Sequence, residues 1–162
     1  MSLTKGNIIQ LLENEKITYQ IAEHEAIYTM AESDALKLPG RDTVAKNLFI
    51  RDDKKRQYFL LTLQKDKQAD LKEIQACLDS RRLSLASEAD LNSMLGLFKG
   101  AVTPLGVLND IDHRVKVFID ADFKDHMVGI HPNVNTATIW LQANDLFQFI
   151  EQHGHPVGWI KL

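Results

Sequence analysis

The chain has 162 residues, 44% of them hydrophobic and 25% charged, and a net charge of −3 from 19 basic and 22 acidic side chains. That size fits one domain, residues 1–162, with a core large enough to fold without staples. The balance excludes indiscriminate nucleic-acid binding through a broad positive surface, but not a structured RNA gripped at a few places.

One cysteine, Cys77, excludes an intramolecular disulfide and fits a reducing compartment. Residues 1–9 carry no apolar signal segment, and no apolar run approaches the ~20 residues that span a bilayer. A cytosolic location without membrane attachment is expected.

Residues 4–15 place Ile8, Ile9, Leu11 and Leu12 on one stripe and predict an amphipathic helix. Residues 17–23 alternate as a strand. Thr29 is placed to cap a short helix through Leu38, with Glu32 completing a capping box, and Pro39-Gly40 ends it.

Residues 43–63, TVAKNLFIRDDKKRQYFLLTL, predict the central hairpin. Val44, Lys46, Leu48 and Ile50 share one face at period two; Ala45, Asn47 and Phe49 share the other. The nearly unbroken apolar run 58–63 suits a central strand buried on both faces. Lys46 is the exception inside the first strand. Its stem can pack while its amine reaches water. Alternatively, the ammonium is aimed into a pocket to hold a phosphate or a developing negative charge.

Residues 64–69 form a polar loop. Asp70 caps a helix through Leu78 with Leu71, Ile74 and Leu78 on one face; Cys77 in this helix reads as a small core residue. Residues 81–86 suggest a short strand, and Ser87 caps a helix over 88–95 with Asp90 as a weaker capping box. Residues 107–110 suit a helical turn or a short strand. Strands are predicted over 114–120, 127–131, 136–141 and 157–162. The last long helix starts at Ala143 or Asn144, ends at His153, and is stopped by Gly154 and Pro156. No regular βαβ beat appears. The fold class is α/β (α+β), with a mixed, largely antiparallel sheet and surrounding helices.

Two further stretches carry chemistry. The loop Gly100-Ala101-Val102-Thr103-Pro104-Leu105-Gly106 could point several amides at one acceptor, as an anion nest or oxyanion hole. From this pattern alone an ordinary connection is the better reading. The loop lacks a Walker lysine and the G-x-G-x-x-G spacing. In 129–138, His131 ends a strand, Pro132 forces an extended exit, and Asn133 and Asn135 supply amides to a pocket or to their own turn. His126 and His131 have no third ligand at metal spacing, so neither metal nor cofactor is expected. No serine or cysteine sits in a recognisable nucleophile context.

Lys46-Asn47-Leu48-Phe49, then the G-x-x-x-P loop Gly100 to Pro104, then His131-Pro132 leading to Asn135-Thr136-Ala137-Thr138, resemble the YbaK/prolyl-tRNA-synthetase-associated editing domain family. RRLSLASEADL, GAVTPLGVLND and NTATIWLQANDLFQFIEQHGH extend the match over nearly the whole chain. Within the family the pattern is most similar to the freestanding alanyl-tRNA(Pro) deacylases, the ProXp-ala or PrdX group. The resemblance implies hydrolysis of the ester joining alanine to the 3′ end of proline tRNA. It implies Lys46 as the key active-site residue, Gly100, Thr103 and Pro104 in the substrate loop, and His131, Asn135 and Thr29 at the pocket. The implied partners are the acceptor end of misacylated tRNA(Pro) and prolyl-tRNA synthetase. Two alternatives stand beside this reading: a cysteinyl-tRNA(Pro) deacylase of the same family, and a non-catalytic module that binds tRNA or synthetase. The basic turn Lys54-Lys55-Arg56 is a candidate tRNA contact.

Overall fold

The expected hairpin is the spine of the protein. In the computed structural model, which describes residues 2–27, 31–32 and 40–162, strand β2 (Ala45–Asp52) pairs antiparallel with β3 (Tyr58–Gln64). The register runs from Ala45 opposite Gln64 to Arg51 opposite Tyr58. The turn is closed by the Asp52 carboxylate, which accepts from the Arg56 amide at 2.8 Å. Residues 58–63 are all buried, as a strand with a packed layer on each face requires.

The strands divide into two sheets. One has five strands in the order β4 (Leu83–Leu85), β2, β3, β5 (Val115–Asp120), β8 (Val157–Ile160). Its β4–β2–β3 part is antiparallel, whereas β3–β5 and β5–β8 are parallel. The other is antiparallel, in the order β1 (Tyr19–Glu23), β7 (Ala137–Gln142), β6 (Met127–Ile130). The mixed, largely antiparallel pairing is the expected one; the division into two sheets is not visible in strand periodicity. A parallel bridge between Val44 and Gly129 links them.

The alternation read along β2 sorts its side chains between two cores. Ala45 and Phe49 face the larger core, with Leu60, Val117 and Ile119 from the same sheet and Ile130, Ile139 and Leu141 from the other. Helices α1 (Lys5–Asn14), α3 (Glu88–Leu95) and α4 (Ala143–Gln152) close this core through Ile8, Leu12, Leu91, Leu95, Leu146 and Phe149. Each such fully buried side chain contributes roughly 1.5–3 kcal/mol. Ile50, Leu61 and Leu63 face the smaller core under helix α2 (Leu71–Leu78), with Ile74.

The caps predicted at Asp70 and Ser87 form, Thr4 adds one that was not expected, and the cap predicted at Thr29 lies outside the described residues. Thr4 Oγ1 accepts from the Asn7 amide and Asn7 Oδ1 from the Thr4 amide, a reciprocal box at 3.2 and 2.9 Å. Asp70 accepts from the Lys72 amide at 2.9 Å and Ser87 from the Asp90 amide at 3.0 Å. Helix α4 starts at Ala143, and Asn144 instead bonds Asp125 at 2.8 Å. Residues 104–109 form a 3-10 turn with Pro104 at its first position, so the helical alternative holds for 107–110. Cys77 corrects the expectation of a core residue. It is exposed, because Leu71, Ile74 and Leu78 already define the buried side of α2 and Cys77 falls outside that stripe. Among the described residues no helix is long and apolar enough to cross a membrane.

Candidate active site

Lys46 lies near the start of β2, on the face shared with Leu48 and Ile50, and is half-buried. Its stem packs, but its amine does not simply reach water. Lys46 Nζ donates to the main-chain carbonyl of Lys67, in the loop between β3 and α2. Among the described residues no carboxylate makes an ion pair with it. A carbonyl partner orients an ammonium without neutralising it. The charge and two N–H donors therefore stay available to a ligand.

The Val44–Gly129 bridge places a second group of side chains on the same side as Lys46. A Cβ added to Gly129 would lie 3.1 Å from Val44 Cγ2 and 2.7 Å from Trp140 Nε1, so these three residues share one side of the bridge. Two residues further along each strand come Lys46 and His131. Period two carries both side chains to that same side. Gly129 pairs with Trp140 and Ile130 with Ile139, so Thr138 belongs to this face as well.

The hydrogen bonds fix the chemistry of His131. Its Nδ1 is 2.9 Å from the Ala137 carbonyl, which can only accept, so Nδ1 carries the proton. Burial pushes the ring below the usual histidine value. The Ala137 bond opposes this in part, and nearby His24 adds to it. His131 is therefore neutral at pH 7, with Nε2 as an acceptor. His24 stands 6.3 Å away, ring to ring, with Nδ1 donating to the Glu25 carbonyl (2.7 Å) and Nε2 beside Thr138 Oγ1 (2.8 Å). Asn135 is buried and braces this wall. Its side-chain amide donates to the Ile27 carbonyl at 3.1 Å, and its carbonyl accepts from the Ile27 amide at 3.0 Å.

The G-x-x-x-P loop packs elsewhere. Its flanks Leu97, Leu105 and Val107 join the larger core with Ala45 and Phe49, on the side of β2 opposite Lys46. Gly100 has a φ of 95°, where glycine is favoured. Thr103 and Pro104 are buried, and Thr103 caps the 3-10 turn, its carbonyl accepting from the Gly106 amide at 3.1 Å. Among the described residues the Gly100 and Val102 amides have no hydrogen-bond partner, and nothing joins this loop to the Lys46 amine. The structure thus brings Lys46 and His131 to one side of the linked sheets and leaves Gly100, Thr103 and Pro104 in another layer. Thr29 lies outside the described residues.

His24, Thr138, Trp140 and Lys67 were not singled out by sequence reasoning. His24 and Thr138 could have been found from the strand register, since Ala22 pairs with Thr138. Lys67 offers only a backbone carbonyl, which leaves no trace in side-chain pattern.

A model of the aminoacyl-tRNA editing domain matches residues 24–149. The chain is similar to prolyl-tRNA editing protein ProX of Acetoanaerobium sticklandii, at 40% identity over 98% of this chain and 97% of that protein. It is similar to the multifunctional Ser/Thr-tRNA deacylase ProXp-y of Escherichia coli, at 29% identity over 64% of this chain and 63% of that protein. A crystal structure described as a candidate trans-editing enzyme for prolyl tRNA synthetase superposes with a TM-score of 0.69, covering 99% of each chain. Its identity is 18%, so that likeness speaks for the fold.

Proposed function

Because the chain belongs to the aminoacyl-tRNA editing domain family and is an aminoacyl-tRNA deacylase, we propose that its substrate is tRNA(Pro) mischarged with alanine. The need for such an enzyme follows from binding energetics. A synthetase pocket built for proline cannot strongly exclude a smaller side chain, since a methylene or so is worth only ~1–3 kcal/mol. A second, hydrolytic site must remove the error. It admits alanine and rejects proline.

The observation that carries this reading is a Lys46 ammonium with no carboxylate partner among the described residues, on the same side of the Val44–Gly129 bridge as a neutral His131. An aminoacyl ester is already activated. Its hydrolysis needs a placed water and stabilisation of the tetrahedral oxyanion. Lys46 would hold the carbonyl oxygen or the terminal phosphate through its two remaining N–H groups. His131 Nε2 would accept from the amino group of the amino acid or from the attacking water. Water adds to the ester carbonyl, the bond to the ribose oxygen breaks, and that oxygen takes the proton, releasing alanine and uncharged tRNA. The ribose hydroxyl next to the ester would help position the water. Gly100, Thr103 and Pro104 enter as the support beneath β2. Prolyl-tRNA synthetase is the proposed source of the substrate.

The test is release of labelled amino acid from Ala-, Cys-, Ser- and Pro-tRNA(Pro). Rapid loss of alanine with proline retained is expected. Loss of cysteine or serine instead would keep the reaction and change the substrate. Binding of charged tRNA without ester loss would replace the enzyme with a binding module.

A further inference from the structure

The loop that receives Lys46 is held by more than a four-residue turn needs. Residues 64–67 close on their own bond, from the Lys67 amide to the Gln64 carbonyl at 3.1 Å. Both ends of the turn are then tied to Asp120, the last residue of β5, whose side chain is fully buried. Asp120 Oδ2 accepts from the Gln64 amide at 2.9 Å. Asp120 Oδ1 accepts from Lys67 Nζ at 2.7 Å and from the Asp122 amide at 3.0 Å. Lys67 Nζ also meets Asp122 Oδ2 at 2.8 Å. The outcome is a lysine whose ammonium is shared between two carboxylates while its carbonyl accepts from a second lysine.

A largely buried ion pair is close to break-even for stability against apolar packing, so its gain lies in geometry. Here the geometry fixed is that of a single carbonyl oxygen. Burial works against the Lys67 charge, and the hydrogen bonds of Asp120 and Asp122 outweigh it. Neither carboxylate pairs with Lys46, because Lys67 occupies both. The arrangement steers Lys46 without quenching it.

We propose that Lys67 and Asp120 are positioning residues: their ion pair fixes the 64–67 turn so that the Lys67 carbonyl holds the Lys46 ammonium in its working direction. This rests on Lys46 being the residue that meets substrate. It adds two residues, one on the β3–α2 loop and one at the end of β5, that touch no substrate themselves.

The test uses the full chain, with Lys67→Met, Lys67→Arg, Asp122→Asn and Lys46→Ala, and two readouts. The first is the single-turnover rate of ester hydrolysis at saturating enzyme, with the half-saturating concentration. The second is the side-chain ammonium signal of Lys46 in a nitrogen-15 spectrum, assigned by its loss in Lys46→Ala. Lys67→Met should lower the saturated rate by about tenfold or more, as expected for a misplaced group, and broaden the Lys46 signal. Lys67→Arg should recover most of the rate. A Lys67→Met protein with wild-type rate and an unchanged Lys46 signal would overturn the proposal. So would a rise in half-saturating concentration alone, which would make Lys67 a direct phosphate contact. Should Lys67→Met fail to fold, Asp122→Asn decides, because Asp122 is exposed and its loss spares the core. A smaller fall in rate with partial broadening supports the proposal, and no change in either removes it. If Lys46→Ala itself hydrolyses normally, the reading of Lys46 fails, which is a different result from a Lys46-dependent enzyme indifferent to Lys67.

Discussion

Val44 and Gly129 form a parallel bridge at the seam between the two sheets, and Gly129 has no room for a side chain. A Cβ there would stand 2.7 Å from Trp140 Nε1, 3.0 Å from Trp140 Cδ1 and 3.1 Å from Val44 Cγ2. The indole cannot swing clear, since it is buried and donates to the Gly40 carbonyl at 3.1 Å. Gly129→Ala should therefore overpack the seam and cost about 1–3 kcal/mol. Thermal melts would read this as a lowered Tm. Because the seam also sets the side of the sheets on which Lys46 and His131 fall, hydrolysis should slow even at temperatures where the variant is folded.

The Asn47–Thr62 pair tests the other face of the hairpin. Thr62 is fully buried and its Oγ1 donates to Asn47 Oδ1 at 2.7 Å across the β2–β3 register. Thr62→Val keeps the shape and removes the donor, leaving the half-buried Asn47 oxygen without this partner, at about 0.5–1.5 kcal/mol. Thr62→Ser keeps the hydroxyl and should lose less. Urea unfolding of the two variants side by side would separate the bond from the packing.

His131 gives the protein a defined response to acid. Burial holds its folded value below the ordinary ~6.5 of the unfolded chain. Between the two values the unfolded chain binds the extra proton, so stability rises with pH across that window. It is complete above the ordinary histidine value and is lost as pH falls through the folded one. His155 contributes in the same direction, lowered by burial and by His113 stacked at 4.3 Å. Denaturant unfolding from pH 7.5 to 5 should show the loss, and His131→Asn should reduce it. The acid limb of kcat/KM should likewise fall below the ordinary histidine range. A limb at or above that range would mean that another group titrates.

Much of the fold is legible in the sequence because it is local. Asp70 and Ser87 announce their helices through side chains that bond amides two or three residues away. The hairpin is equally plain, since its two faces alternate and its second strand is apolar throughout. The division into two sheets is not legible. It depends on Gly129 leaving room for Val44 across a seam, between residues far apart in the chain. The exposed Cys77 was misread because a small thiol suits either side of α2, and the choice is made by where Ile74 meets the sheet. In the site, Lys46 and His131 are marked by being polar at apolar positions. Asp120 ends an ordinary alternating strand, and its role depends on a loop more than fifty residues earlier, which no periodicity records.

On this reading Lys46 carries the ester hydrolysis. Release of labelled alanine from Ala-tRNA(Pro) by wild type and Lys46→Ala, both checked for folding by thermal melt, tests it most directly. Removing this preorganised charge should cost roughly 10²–10³-fold in rate, with the melt little changed. A folded Lys46→Ala protein that releases alanine at the wild-type rate would contradict it.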